Sequence, residues 1–312
     1  MKELSGNTVL VTGATGFIGQ NLIERLKTIP DIHLILLSRK LIEQSTQNIV
    51  WVKSSLDKLT RSFWQSKDID TIDYIFHLGA FTPKNHNEAN DVESVYRDNL
   101  MGTRRLLESL PSSPKKFIFS STLDVYQFSQ EDTILDEYSP IRPSGLYGAS
   151  KFFCEQLIQN MATEKNFNYA ILRYGHIFGP GEEAYSKLIP QIIKNSLAGK
   201  PPVIYGDGTI ERDFLFIDDV IEATLRAAIV NKSNIEPLNI VSGSSITVND
   251  IVNKIIKITQ INQKIHYVYQ KRGGYSIKFN NQKMIEELGR WKFVSINDGL
   301  IKEIEYFMKL NK

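Results

Sequence analysis

Cysteine is almost absent. Cys154 stands alone among 312 residues, so no internal disulfide can form, and a reduced, cytoplasmic setting is expected. Long apolar runs are absent too. Nothing approaches the roughly 18 uninterrupted apolar residues of a membrane span. Met1 to Gly6 carries Lys2 and Glu3, without the apolar core of a signal peptide. Neither sign of charge dominates: 37 Lys and Arg face 35 Asp and Glu, for a net charge of +2. No basic run is long enough to follow a phosphate backbone, so nucleic acid is not an expected partner. The five histidines and scattered acids show no metal-ligand spacing. There is no repeat period and no low-complexity tract. What is present is an ordinary globular composition, 42% hydrophobic and 23% charged, which excludes a disordered tail, a collagen or a coiled-coil rod. The length suits one large domain or two modest ones.

Strand-like and helix-like segments alternate in the first half. Thr8 to Val11, Ile32 to Leu37, Ile49 to Val52, Tyr74 to Leu78, Phe117 to Ser120 and Tyr169 to Leu172 read as strands. Several are continuous apolar runs, as strands buried on both faces should be. Phe17 to Leu26, Val92 to Leu110 and Leu146 to Ala162 have helical spacing. This alternation predicts an α/β, Rossmann-type, doubly wound parallel sheet. After about Gly179 the pattern becomes irregular and proline-broken. Val203 to Tyr205 and Phe214 to Ile217 read as strands; Asp218 to Val230, Thr247 to Ile258 and Ile296 to Met308 read as helices. The expected division is a dinucleotide-binding domain over 1–178 and a smaller mixed α/β substrate lobe over 179–312, with some chain crossing between them.

Gly13, Gly16 and Gly19 recur every three residues between the first strand and the first helix. Glycine permits a tight turn and close backbone approach to a pyrophosphate. The helix then aims its free N–H groups and positive dipole end at that anion. Gly13, Thr15, Gly16, Phe17, Ile18 and Gly19 are the expected cradle. The second strand ends Leu36-Leu37-Ser38-Arg39-Lys40, with no acid to accept from an NAD ribose. Ser38 can hydrogen-bond a 2′-phosphate and Arg39 can pair with it as a planar fork. The expected cofactor is therefore NADP(H), ahead of NAD(H).

Tyr147 and Lys151 are four apart and share one helix face. A phenol with an ordinary pKa near 10 is a poor acid–base group at neutral pH. A cation one turn away favours the phenolate and brings it towards working range. After the fifth strand comes Ser120-Ser121-Thr122-Leu123-Asp124-Val125-Tyr126, a hydroxyl-rich strand end.

These segments resemble the extended short-chain dehydrogenase/reductase family, also called the NAD-dependent epimerase/dehydratase family, in its nucleotide-sugar branch. Thr12-Gly13-Ala14-Thr15-Gly16-Phe17-Ile18-Gly19 resembles its phosphate turn, and Tyr147-Gly148-Ala149-Ser150-Lys151 its catalytic pair. Ser120 to Tyr126 is similar to its S-S-[ST]-x-x-V-Y motif, and His77-Leu78-Gly79-Ala80 to H-L-A-A. The resemblance implies Thr122, Tyr147 and Lys151 as catalytic residues, with Lys151 also holding the nicotinamide ribose. It implies Leu78, Gly79, Ala80 and Asn99 on the cofactor side, with Asn99 as the helix residue bracing the neighbouring strand. Leu172 to Gly181 resembles L-R-Y-x-N-V-Y-G-P-G, with His176 in place of Asn. Gly206 to Phe214 resembles G-D-G-x-x-x-R-D-[FY], and Lys271 to Gly274 loosely resembles R-P-G-D. Arg212 and Arg272 are thereby implied as diphosphate ligands. Thr82, Thr122, Asp124, Tyr147 and His176 are implied at the sugar. Ser54-Ser55-Leu56 replaces the Gly-Asp-Leu that meets adenine in relatives.

The resemblance implies hydride transfer at a nucleotide-diphosphate sugar. A 4,6-dehydratase uses T-D-E where this chain has Thr122-Leu123-Asp124, and Leu123 cannot act as an acid. The expected reaction is reduction of the C4 keto group of a 4-keto-6-deoxyhexose nucleotide. A 4-epimerase or 4,6-dehydratase is the alternative, and a non-catalytic cofactor sensor a remote one. A homodimer through the Val92–Leu110 and Leu146–Ala162 helices is a further implication.

Overall fold

The computed structural model describes residues 1–40, 45–128, 134–260, 262–268 and 276–310. The strands begin with β1 Thr8–Thr12, β2 His33–Ser38, β3 Ile49–Lys53, β4 Tyr74–His77, β5 Lys116–Thr122, β6 Ile134–Leu135 and β7 Asn168–Tyr174. They continue with β8 His176–Phe178, β9 Val203–Tyr205, β10 Glu211–Phe216, β11 Ile235–Ile240, β12 Ser245–Thr247, β13 His266–Val268 and β14 Lys278–Phe279. The helices are α1 Phe17–Leu26, α2 Arg61–Gln65, α3 Val92–Ser94, α4 Gly102–Ser109 and α5 Leu146–Lys165. After them come α6 Leu188–Leu197, α7 Ile217–Ile229, α8 Val248–Thr259, α9 Gln282–Leu288 and α10 Ile296–Leu310.

Two compact units emerge. The first contains Met1–Gln127, Pro140–Tyr174 and Ile221–Leu238; the second contains Phe128–Ser139, Gly175–Val220 and Asn239–Lys312. A single cut after residue 178 does not reproduce this division, because the chain crosses more than once.

A seven-stranded sheet in the order β11-β7-β5-β4-β1-β2-β3 organises the first unit. β1 runs parallel to β2 and β4, and β5 runs parallel to β4 and β7. It is the expected Rossmann-type sheet with flanking helices. The strands form around apolar runs that can be buried on both faces, and β5 is buried from end to end, its polar residues included. The core joins Leu10, Ile75, Phe117, Phe119 and Ile171 of the sheet to Trp64, Leu106, Cys154 and Ile158 of the helices. The indole of Trp64 donates to the Ser109 hydroxyl at 3.1 Å, so even this buried donor is satisfied.

β11 went unread in the sequence because of Pro237. It lies at the sheet edge, where a residue without an N–H costs no ladder bond. Helix α6 was obscured by Pro190, its third residue, where the N–H would have no helical partner. The long helix over 92–110 is not uniform. It passes from α3 through a π-helical stretch, Val95–Met101, into α4. Helix α5 runs three residues beyond the expected Ala162, to a left-handed Asn166.

The second unit holds a three-stranded sheet, β12-β10-β8, and the pairs β13-β9 and β14-β6. β8 is parallel to β10, and β12 antiparallel to it. Asp213 of β10 is buried and accepts from the Ser242 N–H and hydroxyl and from the Gly243 N–H, fixing that turn.

Candidate active site

The first unit gathers its polar residues at the carboxyl ends of β1, β2, β4 and β5. This is where open α/β sheets bind ligands. Gly13 has a positive φ of 68°. A Cβ there would lie 2.7 Å from the Gly79 nitrogen, so the loops after β1 and β4 touch backbone to backbone. A Cβ on Gly19 would meet the Gly13 carbonyl oxygen. Helix α1 starts at Gly16 with no side-chain cap and no acid in its first turn. That cradle fits a pyrophosphate: its backbone can be approached closely and its helix end is electropositive. Thr15 and Gly16 face solvent, while Phe17 packs inward.

Ser38 closes β2, buried, with its hydroxyl accepting from the Lys40 N–H at 3.1 Å. Arg39 is 74% exposed and reaches Asp98 at 3.4 Å. Asp98 itself is held more tightly by Arg97, at 2.7 Å. A guanidinium this exposed, in so long an ion pair, can exchange its partner at little cost.

His77 lies beneath these loops, fully buried. Its ring bonds Thr12 Oγ1 at 2.7 Å and Thr103 Oγ1 at 2.9 Å. The Gly79 N–H donates to Thr12 Oγ1. Burial, and then the charge of Lys151, push the imidazole down to about 3, so it is a neutral brace.

Asn99 is a buried polar residue of the helix that follows the loop after β4. It sits in the π-helical stretch, 2% exposed. Its oxygen accepts from the Phe81 N–H, and its amide donates to the Phe81 carbonyl and the Ser150 hydroxyl. Those bonds tie the loop after β4 to α5. The Cys154 thiol donates to the Asn99 carbonyl at 3.4 Å, which makes it a core group and not a nucleophile.

Thr122, Tyr147 and Lys151 lie where β5 meets α5. Thr122 ends β5, and its oxygen accepts from the Asp124 N–H at 3.2 Å. That leaves its hydroxyl hydrogen able to donate elsewhere. Lys151 is buried, donates to the Ser120 carbonyl at 2.7 Å, and lies 5.9 Å from the Tyr147 ring centroid. Burial draws its ammonium down to about 8, while Cys154 and Glu155 oppose the fall. A Cβ on Gly148 would strike the Asp124 carbonyl oxygen at 2.3 Å, so only glycine lets α5 press this closely on the turn after β5. This role of Gly148 depends on a tertiary contact that the spacing of Tyr147 and Lys151 does not show. Asp124 is open to solvent on one side and crowded by protein on the others, which raises its carboxyl. Leu123 is buried among apolar groups and has no acid–base capacity. Leu78 and Ala80, with Gly79, follow β4 and are half-buried, as is Thr82.

In the second unit, His176 on β8 pairs in register with Phe214 on β10, two residues after Arg212. Its ring is solvent-facing yet crowded, and its pKa is lowered first by desolvation and then by Arg212 and Lys187. The imidazole is thus neutral, with cations beside it. Arg212 is half-buried and donates to the Glu211 carbonyl. Arg272 lies outside the described residues. Among the described residues no acid–histidine–cysteine group could hold a metal, and no helix is long and apolar enough to cross a membrane.

Residues 9–241 match the model of the NAD dependent epimerase/dehydratase family. The chain belongs to that family. It is 32% identical, over 83% of its length and 82% of the relative's, to a UDP-N-acetyl-alpha-D-glucosaminuronate decarboxylase of Bacillus cytotoxicus. It is 29% identical to a trifunctional Arabidopsis thaliana protein, a UDP-glucose 4,6-dehydratase, UDP-4-keto-6-deoxy-D-glucose 3,5-epimerase and UDP-4-keto-L-rhamnose-reductase. That match covers 98% of this chain but 48% of the relative, so the chain spans about half its length. Among solved structures, a UDP-glucuronic acid 4-epimerase from Bacillus cereus, in complex with UDP-glucuronic acid and NAD, superposes with a TM-score of 0.84. It is 26% identical, covering 97% of this chain and 99% of that one.

The neutral state of His77 predicts a pH dependence. The unfolded histidine binds its proton near pH 6.5, the folded one near 3. Its contribution is complete above about pH 6.5 and is lost as pH falls towards 3. Urea midpoints measured stepwise over that range should fall more steeply for the native chain than for His77→Gln. Equal slopes would contradict the brace.

Proposed function

We propose that this enzyme reduces the C4 keto group of a nucleotide-linked 4-keto-6-deoxyhexose, using NADPH. The observation that carries the reading is the convergence of Thr122, Tyr147 and buried Lys151 at the β5–α5 junction. When bound, the nicotinamide supplies the hydride for C4. Tyr147 then gives its proton to the developing O4 alkoxide. The Lys151 ammonium favours the phenolate left behind. Thr122 donates to the same oxygen and orients the sugar. Gly13 to Gly19, Leu78 to Ala80 and Lys151 hold the cofactor, and Ser38 with Arg39 takes its 2′-phosphate.

The second unit is the nucleotide-sugar side, with Arg212 on the diphosphate and His176 at the sugar; this division of labour accords with the crossing of the chain between units. A buried Leu123 where a dehydratase needs an acid weighs against elimination. Likeness to a 4-epimerase bound to NAD supports a second reading, C4 epimerisation with NAD retained. A cytoplasmic location fits a consumer of NADPH and a nucleotide sugar.

We further propose a homodimer. Val92 and Tyr96 on one helix, and Leu146 and Phe153 on α5, are exposed apolar groups, with Val92 at 58% and Tyr96 at 54%. Burying them between two copies would remove that surface from water. Light scattering should report twice the chain mass; a single-chain mass would contradict the dimer.

The test of the reaction is cofactor consumption with a 4-keto-6-deoxy nucleotide sugar. Many turnovers with NADPH, and far fewer with NADH, are expected. Arg39→Ala should lower the preference for NADPH roughly tenfold or more, the cost of a lost charge-assisted bond. No net consumption would favour the epimerase, and a preference for NADH would overturn the role of Arg39.

A further inference from the structure

One buried ion pair lies behind the reacting groups without touching them. Glu155 is four residues beyond Lys151 on the buried face of α5 and is 0% exposed. Arg173 of β7 is 3% exposed and grips it with two bonds, Nη2 to Oε2 at 2.7 Å and Nε to Oε1 at 3.0 Å. The third guanidinium nitrogen donates to the Tyr126 hydroxyl at 2.8 Å, and the guanidinium carbon lies 4.9 Å from that ring. The Ser121 hydroxyl also donates to Glu155 Oε1. Ser121 stands between Ser120, whose carbonyl takes the Lys151 ammonium, and Thr122. A buried pair of this kind gains little net stability over an apolar replacement, so stability alone does not account for placing it here.

We propose that Glu155 is a positioning residue: clamped by Arg173 and Ser121, its buried carboxylate balances the Lys151 ammonium and fixes the end of β5, with Thr122, against α5. The inference rests on Thr122, Tyr147 and Lys151 being the reacting groups. The surroundings of Lys151 show why the charge is needed. The Ser120 carbonyl and the Phe119 ring face it from β5, the ring centroid at 4.7 Å. Neutral His77 lies on the β4 side. Asn99 and Thr103 on the neighbouring helix are uncharged. Asp124, in the turn after β5, faces solvent. On α5 itself stand Tyr147, the protonated Cys154 thiol and Glu155. Of these, Glu155, one helical turn beyond Lys151 and shared with Arg173, is the buried anion. Desolvation drives Lys151 towards neutrality, and Glu155 opposes it. A neutral lysine would leave the Tyr147 phenolate without its cation.

Lysine labelled with ¹³C reports this directly, since the Cε shift follows the charge of Nζ. The Lys151 signal is assigned by its loss in Lys151→Met, and its midpoint is then followed from pH 6 to 11. Glu155→Gln should lower the midpoint by roughly one unit. Glu155→Asp keeps the charge and should hold it near the native value. Should Glu155→Gln not fold with Arg173 unpaired, the double variant Glu155→Gln/Arg173→Gln removes both buried charges and should still show a fall, smaller because the opposing cation goes with the anion. A structural role alone would lower the melting temperature and leave the midpoint in place. Folded variants titrating with the native chain would overturn the inference. Turnover of Lys151→Met decides the underlying reading separately: retained turnover removes Lys151 from the reaction, whatever Glu155 does to its midpoint.

Discussion

An ammonium group buried against the end of a β-strand is the constraint to which the rest of the first unit answers. Lys151 cannot stay charged in an apolar interior without compensation. The Ser120 carbonyl supplies a hydrogen bond, the Phe119 and Tyr147 rings their π faces, and Glu155 an opposite charge. The two partners on β5, the Ser120 carbonyl and the Phe119 ring, demand a close approach of α5 to β5, and Gly148 permits it by leaving the Asp124 carbonyl unobstructed. The same approach brings Thr122 and Tyr147 to one end of the sheet. Chemistry and packing are therefore one arrangement: the groups that hold the lysine also set out the hydroxyls that would meet a sugar.

A second framework holds the cofactor side. Thr12, neutral His77 and Thr103 link β1, β4 and α4 through the interior. Gly13 and Gly79 let the loops above them touch. Asn99 connects the loop after β4 to α5 through Phe81 and Ser150. The π-helical stretch Val95–Met101 interrupts the regular ladder where Asn99 sits, as such bulges often do at functional positions. The two frameworks meet on α5, so the distance from cofactor cradle to acid–base pair is set by buried bonds and not by surface loops. Arg39, by contrast, stands exposed on the rim in a long ion pair with Asp98, where exchange of partner is easy.

Much of this was legible in the sequence, for physical reasons that differ by element. Strands such as β2 and β5 carry continuous apolar runs, over 34–37 and 117–119, so their limits were legible to within a residue or two. Gly13, Gly16 and Gly19, and the Tyr147–Lys151 pair, were visible because a fixed spacing on a turn or helix is a local property. Pro237 and Pro190 misled because a proline breaks a strand or helix only where its missing N–H would be used. The three protein bonds of Asn99 are tertiary and leave no local mark in the sequence. The Glu155–Arg173 clamp was hidden for the same reason, although Glu155 lies four residues beyond Lys151 and shares its face. Its partner comes from a strand 18 residues away.

Family membership places the chain among enzymes that act on nucleotide-linked sugars with a nicotinamide cofactor. The direction of hydride traffic is a finer property. Its signs here are the rim arginine and the apolar Leu123, and both act by excluding alternatives: one leaves no acid for an NAD ribose, the other no acid for elimination. The claim beneath every version of the chemistry is that Tyr147 moves the proton. The most direct measurement is turnover and cofactor affinity of Tyr147→Phe, side by side. Cofactor binding within about twofold of native, with turnover lowered at least ~100-fold, is the result this account predicts. Native-like turnover by the phenylalanine variant would contradict it.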